Sequence, residues 1–260
     1  CPQCGGIMKH IGNGTQKVEE ELHALFPGAK VLRMDTDTVG ASHGHEKLLR
    51  QFEEEKIPIL LGTQMVAKGL DFENVTLVGV LCADVSLYID NYRAPERTFS
   101  LLSQVVGRAG RGSKQGRAII QTFTRENEVI RAAAAQDYDA FYESEIRMRR
   151  LRRYPPFADL FSFTVTGADE SRVIRAAKAL RDALGYAVER REELKPLSIE
   201  VLGPAGASVV KVNNRYRYRV FLVGKGCPAL RRLVAEYLYA FYQHKENRGL
   251  DIFADCNAIQ

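Results

Sequence analysis

Two short, nearly unbroken apolar runs constrain this 260-residue chain more than any other feature: Ile57 to Leu61 and Val75 to Leu81. A strand with one wet face alternates apolar and polar residues, whereas an unalternating run suits a parallel strand buried on both faces. Helical patterns separate such runs. Gly12-Asn13-Gly14-Thr15 reads as a tight turn ending in an N-cap, Thr15, before Val18, Leu22, Leu25 and Phe26 recur at helical spacing. Pro27-Gly28 stops that helix, and Val31 to Met34 reads as a strand. A second helix carries Leu48, Leu49 and Phe52, and Gly116 to Phe123 supplies a further strand. Strands alternating with helices predict a doubly wound α/β domain with a parallel sheet.

The pattern changes after a helical stretch, 128–150, that ends in Arg147, Arg149, Arg150, Arg152 and Arg153, followed by the break Tyr154-Pro155-Pro156-Phe157. Beyond it the order reads as a strand from Leu160, a helix from Glu170, a strand at Ile199 to Leu202, another within Val209 to Val223, a helix from Pro228 and a strand from Leu250. That β-α-β-β-α-β order is the split βαβ arrangement of ferredoxin-like α+β domains. The expected organisation is residues 1–11 as the end of an insertion, 12–153 as the α/β lobe and 154–260 as the α+β domain.

Charge follows the same division. Residues 1–146 carry 16 Lys+Arg against 20 Asp+Glu, and residues 147–260 carry 21 against 12. The second half therefore suits a polyanion such as nucleic acid, with a solvated basic surface as the plainer alternative. No apolar run reaches the ~18 residues of a membrane span, and no secretory leader pattern opens the chain, so a cytoplasmic location is expected. The five cysteines are an odd number, which argues against a disulfide framework. Cys1 and Cys4 have the C-x₂-C spacing of a zinc knuckle, but a tetrahedral site needs four ligands. His10 is a conceivable third, and a surface histidine is the plainer reading.

Two segments carry chemistry. In QVVGRAGR, a helix turning about 100° per residue places Gln104, Arg108 and Arg111 on one stripe, with Leu102, Val105, Val106 and Ala109 on the opposite side. A solvent face is the ordinary explanation of such a stripe. Gly107, Gly110 and Gly112, each weakening a helix by about 1 kcal/mol, favour close approach to a phosphate. In GTQMVAKGLDF, Gly62 to Phe72, Thr63 and Gln64 can bond phosphate or sugar oxygens at a strand's carboxyl end. Lys68-Gly69 brings a charge beside bare backbone, and Asp71 can accept from a ribose hydroxyl. Arg215-Tyr216-Arg217-Tyr218-Arg219 places three arginines on one strand face and two tyrosines on the other, either as a phosphate-tracking strip or as a charged, solvated edge strand.

Together, and in this order, GTQMVAKGLDF and QVVGRAGR resemble motifs V and VI of superfamily 2 helicases, with the GNGT turn where motif IV lies. CPQCGG, the VEEEL helix, YRAPERTFSLLSQVVGRAGRG, QDYDAFYESE and YPPF resemble the PriA (primosomal protein N′) family, strongly from Cys1 to about Phe157 and more weakly through Val201 to Ala205 and Arg215 to Arg219. The resemblance implies a RecA-like (P-loop NTPase-type) second lobe of an ATP-dependent 3′-to-5′ DNA helicase of replication restart and primosome assembly. It implies ATP with Mg2+ as cofactor, Arg111 as arginine finger beside Arg108, and Gln104 orienting water or phosphate. Gly69 and Asp71 would meet the nucleotide, while Gly14, Thr15, Thr63, Gln64 and Lys68 would hold the DNA backbone. Cys1 and Cys4 would be half of a Zn2+ site completed from upstream. Forked or single-stranded DNA, single-stranded DNA-binding protein and primosome components are the implied partners, at the bacterial nucleoid. Leu70 stands where the family pattern has histidine, and Cys82 where it has aspartate. No G-x-x-x-x-G-K-[ST] segment occurs, so the chain is expected to be the second lobe and C-terminal domain of a longer enzyme, inactive alone. The alternative is a non-catalytic binding module that retains a helicase-like lobe.

Overall fold

The computed structural model describes residues 14–35, 44–63, 75–107 and 116–258. The chain forms two compact units: Cys1–Ile89 with Ala94–Tyr142, and Asp90–Arg93 with Glu143–Gln260.

In the first unit the described elements are α1 (Thr15–Leu25), β1 (Val31–Met34), α2 (Gly44–Glu54), β2 (Ile59–Gly62), β3 (Leu77–Val80), α3 (Asp84–Leu87), α4 (Ala94–Val106), β4 (Arg117–Ile120) and α5 (Glu128–Ala135). Helix α6 (Tyr138–Leu151) begins here and runs into the second unit. The strands pair in parallel, as the apolar runs predict, but as two separate pairs among the described residues: β1 with β2 and β3 with β4. Burial on both faces does not follow. Val80 and Ile120 pack on a cluster of Ala83, Phe99, Leu102, Ile130, Ala133 and Phe141, while Leu77 and Ile119, pointing the other way, are 60% and 53% exposed. Phe99 and Phe141 stack with ring centroids 4.2 Å apart, fixing α6 against α4. The single helix expected over 128–150 is two. Gln136 takes a left-handed conformation (φ 56°) and ends α5, whose N-cap Asn127 accepts from the Val129 and Ile130 N–H groups.

The second unit contains β5 (Asp159–Gly167), α7 (Glu170–Arg190), β6 (Glu200–Val212), β7 (Arg215–Gly224), α8 (Pro228–Gln243) and β8 (Asp251–Cys256). Its sheet runs β6-β7-β5-β8, every pairing antiparallel. Phe161, Phe163 and Val165 of β5 and Val220 and Leu222 of β7 face one way, onto Leu180 and Leu184 of α7 and Leu230 and Leu233 of α8. Strand alternation sends Ser162, Thr164, Thr166, Arg217, Arg219 and Phe253 to the other face.

Two expectations are corrected here. Where the sequence indicates a strand ending at Leu202, β6 continues to Val212, and register shifts at Leu202/Ala205 and Gly206/Lys211 absorb the extra residues. Gly203 permits the first shift at φ +102°, where an added Cβ would lie 2.8 Å from the Arg219 carbonyl oxygen. The hairpin to β7 turns on Asn213 and Asn214, both with positive φ (49° and 59°), which matches the twist of the paired strands. Consequently β7 is an interior strand, not a solvated edge.

Phe163 is fully buried at the centre of this core. Phe163→Ala is expected to destabilise the second unit by about 3–5 kcal/mol, read from the urea midpoint of its unfolding transition.

Candidate nucleic-acid interface

Parallel strands end on the same side, so residues that follow them converge. Met34 of β1 lies opposite Gly62 of β2, which brings Asp35 and Thr63 to one carboxyl edge. The Thr15 hydroxyl donates to Asp35 Oδ2 at 2.5 Å, drawing the start of α1 to the same edge. Asp35 is buried and also lies 3.1 Å from Arg33 Nε, while Arg33 Nη1 donates to Glu19 at 2.8 Å.

This geometry corrects the cap expected at Thr15. Gly14, with extended backbone (φ −58°, ψ 151°), is the N-cap, and Thr15 is the first helical residue. Its hydroxyl proton is committed to Asp35. At this edge the Thr15 and Gln16 N–H groups precede the hydrogen-bond ladder of the helix, and the Lys17 N–H donates to the Gly14 carbonyl at 3.0 Å. Gly14 keeps that backbone bare, with nothing within 4 Å of a Cβ built there. Thr63 is exposed beside it.

The second parallel pair has an edge of its own. Val80 lies opposite Ile120, and Asp84, just beyond β3, is 3% exposed. Asp84 accepts from Thr122 Oγ1 at 3.0 Å, Thr124 Oγ1 at 2.5 Å and the Phe123 N–H at 2.9 Å. Burial pushes its pKa up, but the bonds from Thr124, Phe123 and Thr122 outweigh it and hold the carboxyl below its ordinary 3.8. Sequence reasoning missed both buried aspartates. Their position immediately after an apolar run was the available signal. Cys82, the departure noted above, sits beside this edge with Sγ 3.9 Å from Gln121 Oε1.

Gln104 lies in the last turns of α4 with its side chain exposed, and its amide donates to Ser100 Oγ at 3.3 Å. The described helix ends at Val106. Arg108 and Arg111 lie outside the described residues, as do Gln64, Lys68, Gly69, Asp71, Cys1 and Cys4. Among the described residues, no group of three or more His, Cys, Asp or Glu could hold a metal ion.

On β7 the three arginines share the helix-free face, and Tyr216 and Tyr218 pack toward the core, as alternation predicts. They are not equivalent. Arg215 Nη2 pairs with Asp251 and donates to Thr166 Oγ1 at 3.1 Å. Arg219 is 7% exposed, and burial, then Arg217, lower its pKa against the opposing pull of Asp90 and Asp255. Arg217 lies between them, half-buried. Asp251, Asp255 and Asp90 thus offset much of the strip's charge, which the pentapeptide alone conceals.

The helicase conserved C-terminal domain family matches residues 11–113, and the primosomal protein N C-terminal domain family matches residues 150–257. The "Replication restart protein PriA" of Bacillus subtilis is 40% identical over 258 residues, covering 99% of this chain. The chain belongs to the PriA family. Proteins of the same name from Synechocystis and Chlamydia pneumoniae are 40% and 38% identical, each over 85% of this chain. The chain spans 31%, 26% and 29% of the length of these three PriA relatives. No described helix is long and apolar enough to cross a membrane.

Asp84 ties the β3/β4 edge of this PriA-family chain together. A carboxyl with a folded pKa below its unfolded value contributes stability that is fully present above that ordinary 3.8 and lost as pH falls through the folded value. Asp84→Ala leaves its donors unpaired and is expected to cost about 1–3 kcal/mol at neutral pH. The difference from wild type should shrink in urea titrations run below pH 3.8.

Proposed function

We propose that the chain is the second motor lobe and C-terminal domain, residues 12–153 and 154–260, of an ATP-dependent 3′-to-5′ DNA helicase that acts in replication restart and primosome assembly. The observation that carries this reading is 40% identity over 99% of the chain to a "Replication restart protein PriA", joined to the helicase C-terminal domain match. The antiparallel order β6-β7-β5-β8 supports a ferredoxin-like second unit.

In this reading the carboxyl edge of β1 and β2 holds the DNA backbone. First-turn N–H groups after Gly14 meet a phosphate, with Thr63 alongside and Gln64 and Lys68 extending the grip. The half-positive end of α1 favours the anion. Gln104 is exposed and offers an amide, and with Arg108 and Arg111 it makes a donor set suited to triphosphate oxygens. ATP with Mg2+ supplies the phosphoryl transfer that drives such motors. Arg111 and Arg108 would stabilise charge on the γ-phosphate, Gln104 would orient water, and Gly69 and Asp71 would line the nucleotide. An arginine finger of this kind is worth about 10³–10⁵ in rate.

Zn2+ would need more than this chain's Cys1 and Cys4, since two thiolates leave a tetrahedral ion half coordinated. Arg217 remains the member of the basic strip best placed for a phosphate. Single-stranded DNA-binding protein and the primosome are the partners in keeping with this role, in the cytoplasm at the nucleoid. Retention of Gln104, Arg108 and Arg111 favours a motor over a non-catalytic binding module, which has no use for a γ-phosphate grip.

Phosphate release by the purified chain, with ATP and Mg2+ and with or without single-stranded DNA, tests the half-site. The expected rate is indistinguishable from buffer, and DNA-stimulated release would show that the chain carries a whole active site.

A further inference from the structure

Four residues, Asp90–Arg93, belong to the second unit although Ile89 and Ala94 on either side of them belong to the first. At one end Ser208 Oγ donates to Asp90 Oδ2 at 3.1 Å, and Arg219 Nη1 lies 4.0 Å from the same oxygen. At the other, the Tyr92 hydroxyl donates to the Asn257 carbonyl at 3.5 Å. The Tyr92 ring lies 5.8 Å from that of Tyr154 and 5.6 Å from the Arg149 guanidinium.

The Asp90 end is poorly matched. The Arg219 side chain is 8% exposed and its Nε has no hydrogen-bond partner, yet the Asp90 side chain facing it is 70% exposed. A guanidinium taken this far from water requires close, multiple acceptors, and Asp90 at 4.0 Å, with the charge of Asp255 acting through space, does not supply them. Arg219 would be matched better by a closer anion with several oxygens than it is by Asp90.

Its surroundings indicate the anion. The register sets Arg219, Thr164 and Phe253 in one row across β7, β5 and β8, with Phe221 two residues along β7 on the same face. Phe253 is 42% exposed. Arginines beside rings, on the helix-free face of a four-stranded sheet, suit the phosphates and stacked bases of a single strand. Rings in that position give an acidic peptide no comparable partner.

We propose that Asp90–Arg93 is a displaceable strap, whose Asp90 carboxylate holds the place on Arg219 that a phosphate of a single-stranded nucleic acid takes. The strand must lift the strap to reach the buried guanidinium. This proposal rests on the nucleic-acid reading of the preceding section.

The test is the affinity of the whole chain for a fluorescent oligothymidylate, by anisotropy across a salt series. Asp90→Asn is expected to tighten binding by about two- to fivefold at low salt, the scale of an exposed ion pair. The log–log salt slope should steepen by about one as a new phosphate contact forms. The gain should vanish in Asp90→Asn/Arg219→Gln, and a weaker gain should appear in Ser208→Ala, which loosens the strap without touching the arginine. No tightening in either Asp90→Asn or Ser208→Ala overturns the proposal, as does a gain that survives Arg219→Gln. A gain for polyglutamate but not for the oligonucleotide also overturns it, by assigning the face to acidic protein. Arg217→Glu separates the two readings: if it weakens binding while Asp90→Asn does nothing, the strap fails and the nucleic-acid face stands. Unchanged binding in Arg217→Glu removes both.

Discussion

The register of β1 on β2 governs what the first unit can do. With Met34 opposite Gly62, both strands end on one side, and whatever follows them is delivered to a single edge. Thr15, Asp35 and Thr63 are far apart in the chain and meet because of that pairing. The Thr15–Asp35 hydrogen bond then fixes the start of α1, where the Thr15 and Gln16 N–H groups precede the ladder of the helix. A one-residue slip would turn Asp35 away and dissolve the edge. The β3/β4 pair repeats the device with Asp84, whose three hydrogen bonds close the edge rather than open it.

The second unit works from a different constraint. Its antiparallel sheet has one face sealed by α7 and α8, so alternation decides which side chains meet the core and which take the opposite face. Tyr218 goes inward, where its hydroxyl reaches Glu170 at 2.8 Å, and Arg217 and Arg219 go outward. Because β7 is interior, its arginines lie among the strands' aspartates rather than along an open rim. The charges of Arg215 and Arg219 on this face are thus opposed by Asp251, Asp90 and Asp255.

Much of this was legible in the sequence, for identifiable reasons. Apolar runs gave β2 and β3, and the second unit's elements follow in the order β5, α7, β6, β7, α8, β8. What escaped depended on contacts distant in the chain. A strand interrupted by Gly203-Pro204 and the 207–210 excursion does not read as one strand, because bulges hide its period. Gln136 carries no helix-breaking signature, yet its left-handed backbone divides the predicted helix. At the sites, RYRYR showed which residues share a face but not that Asp251 and Asp90 meet two of the three arginines. Likewise, GNGT resembles a cap at Thr15, whereas Asp35, twenty residues on, decides what that hydroxyl does.

The central claim is that a nucleic acid strand is held at the carboxyl edge of β1 and β2 through backbone groups of the first turn of α1. Hydrogen–deuterium exchange of the chain, with and without saturating single-stranded oligonucleotide, addresses it most directly. The account predicts slowed exchange in the peptides spanning Gly14 to Lys17 and Thr63. Unchanged exchange there, with protection confined to the second unit, would contradict it.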